Sequence, residues 1–238
     1  SPEGAALLSR ALDLARRLGD PEAYWCIAWL LLSSVEAPQQ DEKRLRLAEK
    51  LAEQSRQGVN LMILTMALTA VAHTFEEFGQ RRHAEDIMAG MKTLAERSGQ
   101  PNMLIMSMLH DAIMAIWDGR LEEAVAIRRR ILARAEEMGI LEYAMGWASF
   151  VLPARVHLGD AARALESNLQ LMRSEPPNAA SDMGILYCLA HLGRYDEVAE
   201  VLERLVVARP GIGSAEDETS VWFDVKALEA AVLAGHRQ

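Results

Sequence analysis

The feature that most constrains this chain is the spacing of its glycines. One set, Gly19, Gly58, Gly99 and Gly139, is separated by 39, 41 and 40 residues. A second, Gly79, Gly119, Gly159, Gly193 and Gly235, is separated by 40, 40, 34 and 42. The two sets interleave, so a turn signal recurs about every 20 residues along the 238-residue chain. A period of this length marks a repeat array, in which each unit buries its apolar face on its neighbours.

The segments between glycines read as helices. From Leu121 to Met138, the residues Leu121, Ala124, Val125, Ile127, Ile131, Leu132 and Ala135 form one apolar stripe, with Glu122, Glu123, Arg128, Arg129, Arg130 and Glu136 largely off it. Ala, Leu and Met are abundant and aromatic residues make up only 5% of the chain, a composition that favours helix. The pattern predicts helices near 4–18, 22–36, 41–56, 60–78, 82–97, 102–118, 121–138, 141–158, 161–173, 180–192 and 195–208, with a further one near 219–234. No segment alternates with the two-residue period of a half-buried strand. Residues 209–219, with Pro210, Gly211, Gly213 and an acidic run, are expected to form a loop.

The second glycine set carries a shared signature: Gly79-Gln-Arg-Arg-His-Ala84, Gly119-Arg-Leu-Glu-Glu-Ala124, Gly159-Asp-Ala-Ala-Arg-Ala164 and Gly193-Arg-Tyr-Asp-Glu-Val198. Glycine ends one helix, a short polar turn follows, and a small residue five positions on lets two antiparallel helices approach closely. Ala72, Ala112, Leu152 and Leu186 stand seven residues before these glycines. The signature resembles the tetratricopeptide (TPR) repeat, with a period nearer 40 than 34. The first-helix Trp and Tyr of that family are mostly missing, and Arg155 and Asp182 depart from its pattern. Ala11–Pro21, Ala112–Ala124 and Glu218–Phe223 resemble stretches of the TPR-like regions of maltose-activator-like LuxR-type regulators and of adenylate/guanylate cyclases with a central AAA-type ATPase.

That resemblance implies an all-α fold, an α-solenoid of antiparallel helix pairs in a right-handed superhelix, as one TPR-like repeat domain over residues 1–238. The opening Ser1-Pro2-Glu3-Gly4 and the ending Leu233–Gln238, which begins another inter-helix turn, make the chain an expected section of a longer protein. Its last helix is then expected to expose an apolar face.

Several function classes are disfavoured. The formal net charge of -9 opposes a surface for nucleic acid or for an anionic membrane. The longest apolar run, Leu61 to Ala72, falls short of the roughly 20 residues of a membrane span. Cys26 and Cys188 sit in separate helical stretches and read as buried free thiols of a reducing compartment, hence a cytoplasmic location. None of His73, His83, His110, His157, His191 and His236 has metal-ligand spacing, and no phosphate loop or nucleophile elbow is present. No catalytic residue, metal or cofactor is expected. The charge runs Asp41–Arg44 and Arg128–Arg130 read as solvated helix faces.

In a TPR-like array the first helix of each pair lines a concave groove. The register then points inward Met66, Thr69, His73 and Glu76; Met106, Leu109, Ile113, Ile116 and Trp117; Ser149, Pro153 and His157; and Met183, Tyr187 and His191. The expected function is a non-enzymatic module of a larger bacterial signalling protein, transcriptional regulator or cyclase. It would bind a peptide, a partner domain of the same parent chain or a small effector in that groove. The alternative is a structural module that self-associates, for instance as a homodimer, with no small ligand.

Overall fold

The structure, a computed structural model, describes residues 2–34, 41–174, 179–207 and 221–235. These residues form helices α1 (Pro2–Leu18), α2 (Pro21–Ser34), α3 (Asp41–Glu53), α4 (Leu61–Glu77), α5 (Arg81–Ser98), α6 (Pro101–Trp117), α7 (Leu121–Glu137), α8 (Leu141–Ala148), α9 (Leu152–His157), α10 (Ala161–Ser174), α11 (Ala179–His191), α12 (Tyr195–Leu202) and α13 (Val221–Leu233). No strand occurs among the described residues. The loop expected at 209–219 lies outside them.

The glycine sets are the turns. Positive φ occurs at Gly19, Gly58, Gly79, Gly99, Gly119, Gly139, Gly159, Gly193 and Gly235, the nine members of the two series. Gly119 shows the mechanism. With φ of 74° its N–H donates to Ile116 O (3.0 Å), and the N–H of Arg120 donates to Ala115 O (2.8 Å). This paired closure satisfies carbonyls that the end of α6 would otherwise leave open, and a Cβ would strain it. The N–H of Ala124, five positions on, donates to Arg120 O and starts the next helical ladder. Ala84, Ala124, Ala164 and Val198, the small residues of the signature, are fully buried.

Two predicted helices are interrupted. The helix expected over 141–158 is split by a single 3-10 turn, Ser149–Val151, between α8 and α9. Pro153 has no N–H to give to Ser149 O, four residues back. The carbonyl of Ser149 accepts from the N–H of Leu152 instead, which tightens the ladder to the i−3 pattern. The helix expected over 195–208 ends at Leu202 and continues as a π turn, Glu203–Val207.

The chain divides into two compact units, with the division inside α6 between Ser107 and Met108. In the first unit, α2 packs on α1, α3 and α4, and α4 also packs on α3 and α5. Its core includes Trp25, Leu32, Leu51, Leu64, Leu68 and Met91. The indole N–H of Trp25 donates to Ser55 O at 3.1 Å, so the buried ring leaves no polar atom unpaired. In the second unit, α11 packs on α9, α10, α12 and α13. Every residue from Asp182 to Ala190 is buried, as expected of a helix covered on all sides. Its core includes Leu152, Val156, Leu165, Leu186, Val198 and Ala230. Packing of a helix on its next-but-one neighbour, α2 on α4 and α11 on α13, is how repeated helices stack.

Three charged positions are buried. Arg44, read as part of a solvated run, is buried; its Nη2 lies 2.8 Å from Glu77 Oε2 and donates to Leu32 O. Arg155 and Asp182, the two departures from the repeat pattern, are also buried, and each has an ion partner. Arg155 Nη2 is 2.8 Å from Asp160, and Asp182 is 2.8 Å from Arg204 on the π turn.

Candidate functional site

The expected groove residues fall into different environments. On α4, Met66 and Thr69 are half-buried, and the Thr69 hydroxyl donates to Thr65 O. His73 is exposed, with its ring nitrogens 3.5 Å from Glu76 and 3.4 Å from Glu77. On α6, Met106 and Leu109 are 2% and 3% exposed, so they belong to the packed interior. Ile113 and Ile116 are half-buried, and Trp117 is 52% exposed. Ser149 and Pro153 are half-buried, and Met183 is fully buried.

Three of the expected residues meet. The Tyr187 hydroxyl lies 3.1 Å from His157 Nε2, and the His191 ring stands 4.6 Å from the Tyr187 ring and 5.6 Å from that of His157. Two further members of this cluster, both on α13, lie outside the sequence expectation. Glu229 Oε1 is 3.1 Å from His191 Nε2, and Lys226 Nζ sits 3.9 Å over the Tyr187 ring. The signal for Glu229 was present. His73, Ile113, Pro153 and Tyr187 each stand six residues before a glycine, and Glu229 stands six before Gly235.

Burial, and then the charge of Glu229, push the Tyr187 phenol well above its ordinary range, so it stays protonated. Burial also acts to raise the Glu229 carboxyl. The hydrogen bond from His191 and the charge of Lys226 outweigh it and hold Glu229 below its ordinary value. Among the described residues, no group of three or more His, Cys, Asp or Glu is placed to hold a metal ion.

A cleft of about 320 Å³ opens beside this cluster's unit core, among α7, α8, the 3-10 turn, α9 and α10. Leu132, Leu141, Met145 and Leu152 line its apolar wall, and Ser149, one of the expected site residues, lines the turn. Its polar side carries Arg128, Arg155, Ser167 and Asn168. Arg155 is tied down: Nε and Nη2 donate to Asp160 Oδ2 at 3.1 and 2.8 Å, and Nη1 donates to Ser167 Oγ at 3.3 Å. Arg128, two turns into α7, is half-buried rather than solvated. It makes no hydrogen bond or ion pair with a described residue. Burial first, and then the positive charge of Arg155, push its guanidinium below the ordinary value.

No helix among the described residues is long and apolar enough to cross a membrane. No known family model matches the chain, and neither a curated protein nor a solved structure matches it.

Proposed function

We propose that this chain is a non-enzymatic, TPR-like binding module, a right-handed solenoid of helix pairs within a larger bacterial cytoplasmic regulator, and that it takes a small effector. The observation that carries this reading is the cleft among α7, α8, α9 and α10. At about 320 Å³ it lies within the size range of small-ligand pockets, and it combines an apolar wall with a few polar groups, as such pockets do. Effector binding there would bias the relative setting of α8 and α9, which meet at a short 3-10 turn rather than through a continuous helix.

Ligand-observed NMR with a panel of small organic acids, amines and neutral fragments tests this. Some members should bind, compete with one another and lose binding in Leu132→Trp, which fills the cleft. A panel with no binder, or binders indifferent to Leu132→Trp, refutes the reading.

Self-association is favoured by a separate observation. Leu7, Leu14 and Leu18 are exposed along α1, and Val225, Leu228 and Val232 are exposed along α13. Light scattering distinguishes the readings: a dimer that persists on dilution and is lost in Leu228→Glu supports assembly through α13, and a monomer opposes it.

A further inference from the structure

We propose that the cleft between α7 and α10 binds a small organic monoanion with an apolar body, in the simplest case a carboxylate, with its charge taken by Arg128. This rests on the reading of the cleft as a ligand site and assigns that site a chemistry.

The cleft is lined by two arginines, Arg128 and Arg155; Asp160 accepts hydrogen bonds from Arg155 and acts on Arg128 through its charge alone. The charged neighbours that act on Arg128 are Arg155, Arg129 and Asp160, of which only Asp160 is acidic. The site therefore carries excess positive charge in a protein with 34 acidic and 25 basic residues. Carboxylates are abundant in the chain, yet among the described residues none forms an ion pair or hydrogen bond with Arg128. A half-buried guanidinium without a counter-ion loses hydration without replacement, and a bound anion restores that loss through paired N–H···O bonds.

Arg155 supports this arrangement without supplying the free charge. Its three hydrogen bonds to Asp160 and Ser167 fix the polar side of the cleft, so the anion's oxygens would meet a preset surface.

The opposite wall decides the rest of the ligand. Leu132, Leu141, Met145 and Leu152 offer nothing to a hydrated inorganic ion and favour a hydrocarbon body. The volume, about 320 Å³, corresponds to about ten water molecules at their share of liquid volume. That suits a compact organic acid and excludes a folded peptide segment. A single uncompensated cation selects a monoanion over a dianion.

Isothermal titration of the whole chain with octanoate and with octanol tests the proposal, because the two share an apolar chain and differ in charge. Octanoate should bind at least about tenfold more tightly, the effect of one charge-assisted contact. Arg128→Met should abolish that advantage and leave octanol binding unchanged, while Arg128→Lys should keep part of it. Equal binding of octanoate and octanol to the unaltered chain overturns the anion assignment and leaves the cleft as an apolar ligand site. Octanoate affinity retained in Arg128→Met overturns the assignment to that residue. Displacement of octanoate by an equal concentration of inorganic phosphate overturns the need for an apolar body. Failure of both ligands to bind, or binding unchanged in Leu132→Trp, overturns the cleft itself as their site.

Discussion

Replacing Gly184 by alanine sets two known effects against each other. Gly184 lies inside α11, where alanine alone would gain about 0.5–1 kcal/mol by restricting the unfolded chain and favouring helix. The added Cβ, however, would stand 3.2 Å from Asn168 Oδ1 and 3.4 Å from Leu152 Cδ2. Neither neighbour can swing freely. Asn168 is buried and its Nδ2 donates to Ala164 O at 3.0 Å, and Leu152 is 8% exposed. Overpacking of this kind costs about 1–3 kcal/mol, and a weakened buried hydrogen bond adds about 1 kcal/mol. The clash should win, leaving Gly184→Ala destabilised by about 1–3 kcal/mol. Gly146→Ala is the matched control. It lies in α8 with nothing within 4 Å of its added Cβ, so the helix gain of about 0.5–1 kcal/mol should stand alone. Urea denaturation followed by circular dichroism reads both as shifts of the midpoint in opposite directions. A Gly184→Ala protein that unfolds at higher urea than the parent would show that α10 and α9 give way at no cost, and the packing argument would fail.

Two further outcomes follow from the titrating groups. Glu229 is held below its ordinary value in the fold, so its contribution is present above the unfolded carboxylate value and is lost as pH falls through the folded one. The melting-temperature deficit of Glu229→Gln should therefore be present at pH 7 and fade toward pH 3; a deficit that grows on acidification would contradict the pairing with His191 and Lys226. The Cys188 thiol, fully buried, is pushed up to about 12 by burial, only partly opposed by Arg155. Iodoacetamide at pH 8 should label the half-buried Cys26 in the native protein and Cys188 only after denaturant is added; equal labelling of both native thiols would show that α11 opens readily.

The turns were legible in the sequence because a left-handed backbone selects glycine, and that requirement depends on a few consecutive residues only. Ala84, Ala124, Ala164 and Val198 were legible for the same reason, since each sits a fixed distance from its turn. The break at Pro153 was not, because the apolar period runs on through Val151, Leu152 and Val156 and masks the missing N–H. Arg155 and Asp182 looked like mismatches because their partners, Asp160 and Arg204, are supplied by a turn and by a π segment that the repeat pattern does not describe. Periodicity also reports that a face is apolar without reporting what covers it, which is why Met106 and Leu109 were grouped with exposed Trp117. The register places His157, Tyr187 and His191 on first helices without implying their mutual contact, and Glu229 stands at the matching position before the fifth glycine. The cleft could not be read, since its walls come from α7, α8, α9 and α10 together, and periodicity does not report how those helices pack on one another.

The glycine turns have a consequence for how such a chain can change over time. At Gly79, Gly119, Gly139, Gly159 and Gly193, the exposed carbonyls of one helix are closed by the N–H groups of the glycine and of the residue after it. Each helix end is therefore chemically complete within its own few residues and needs nothing from the helix beyond. A gene that duplicates or deletes the stretch from one glycine to the next but one would join two closed ends and orphan no backbone group. Array length is then free to drift while local bonding stays intact, and only the faces at the new junction need to adapt. The 34-residue step between Gly159 and Gly193, among steps of about 40, keeps the same closure at both of its ends.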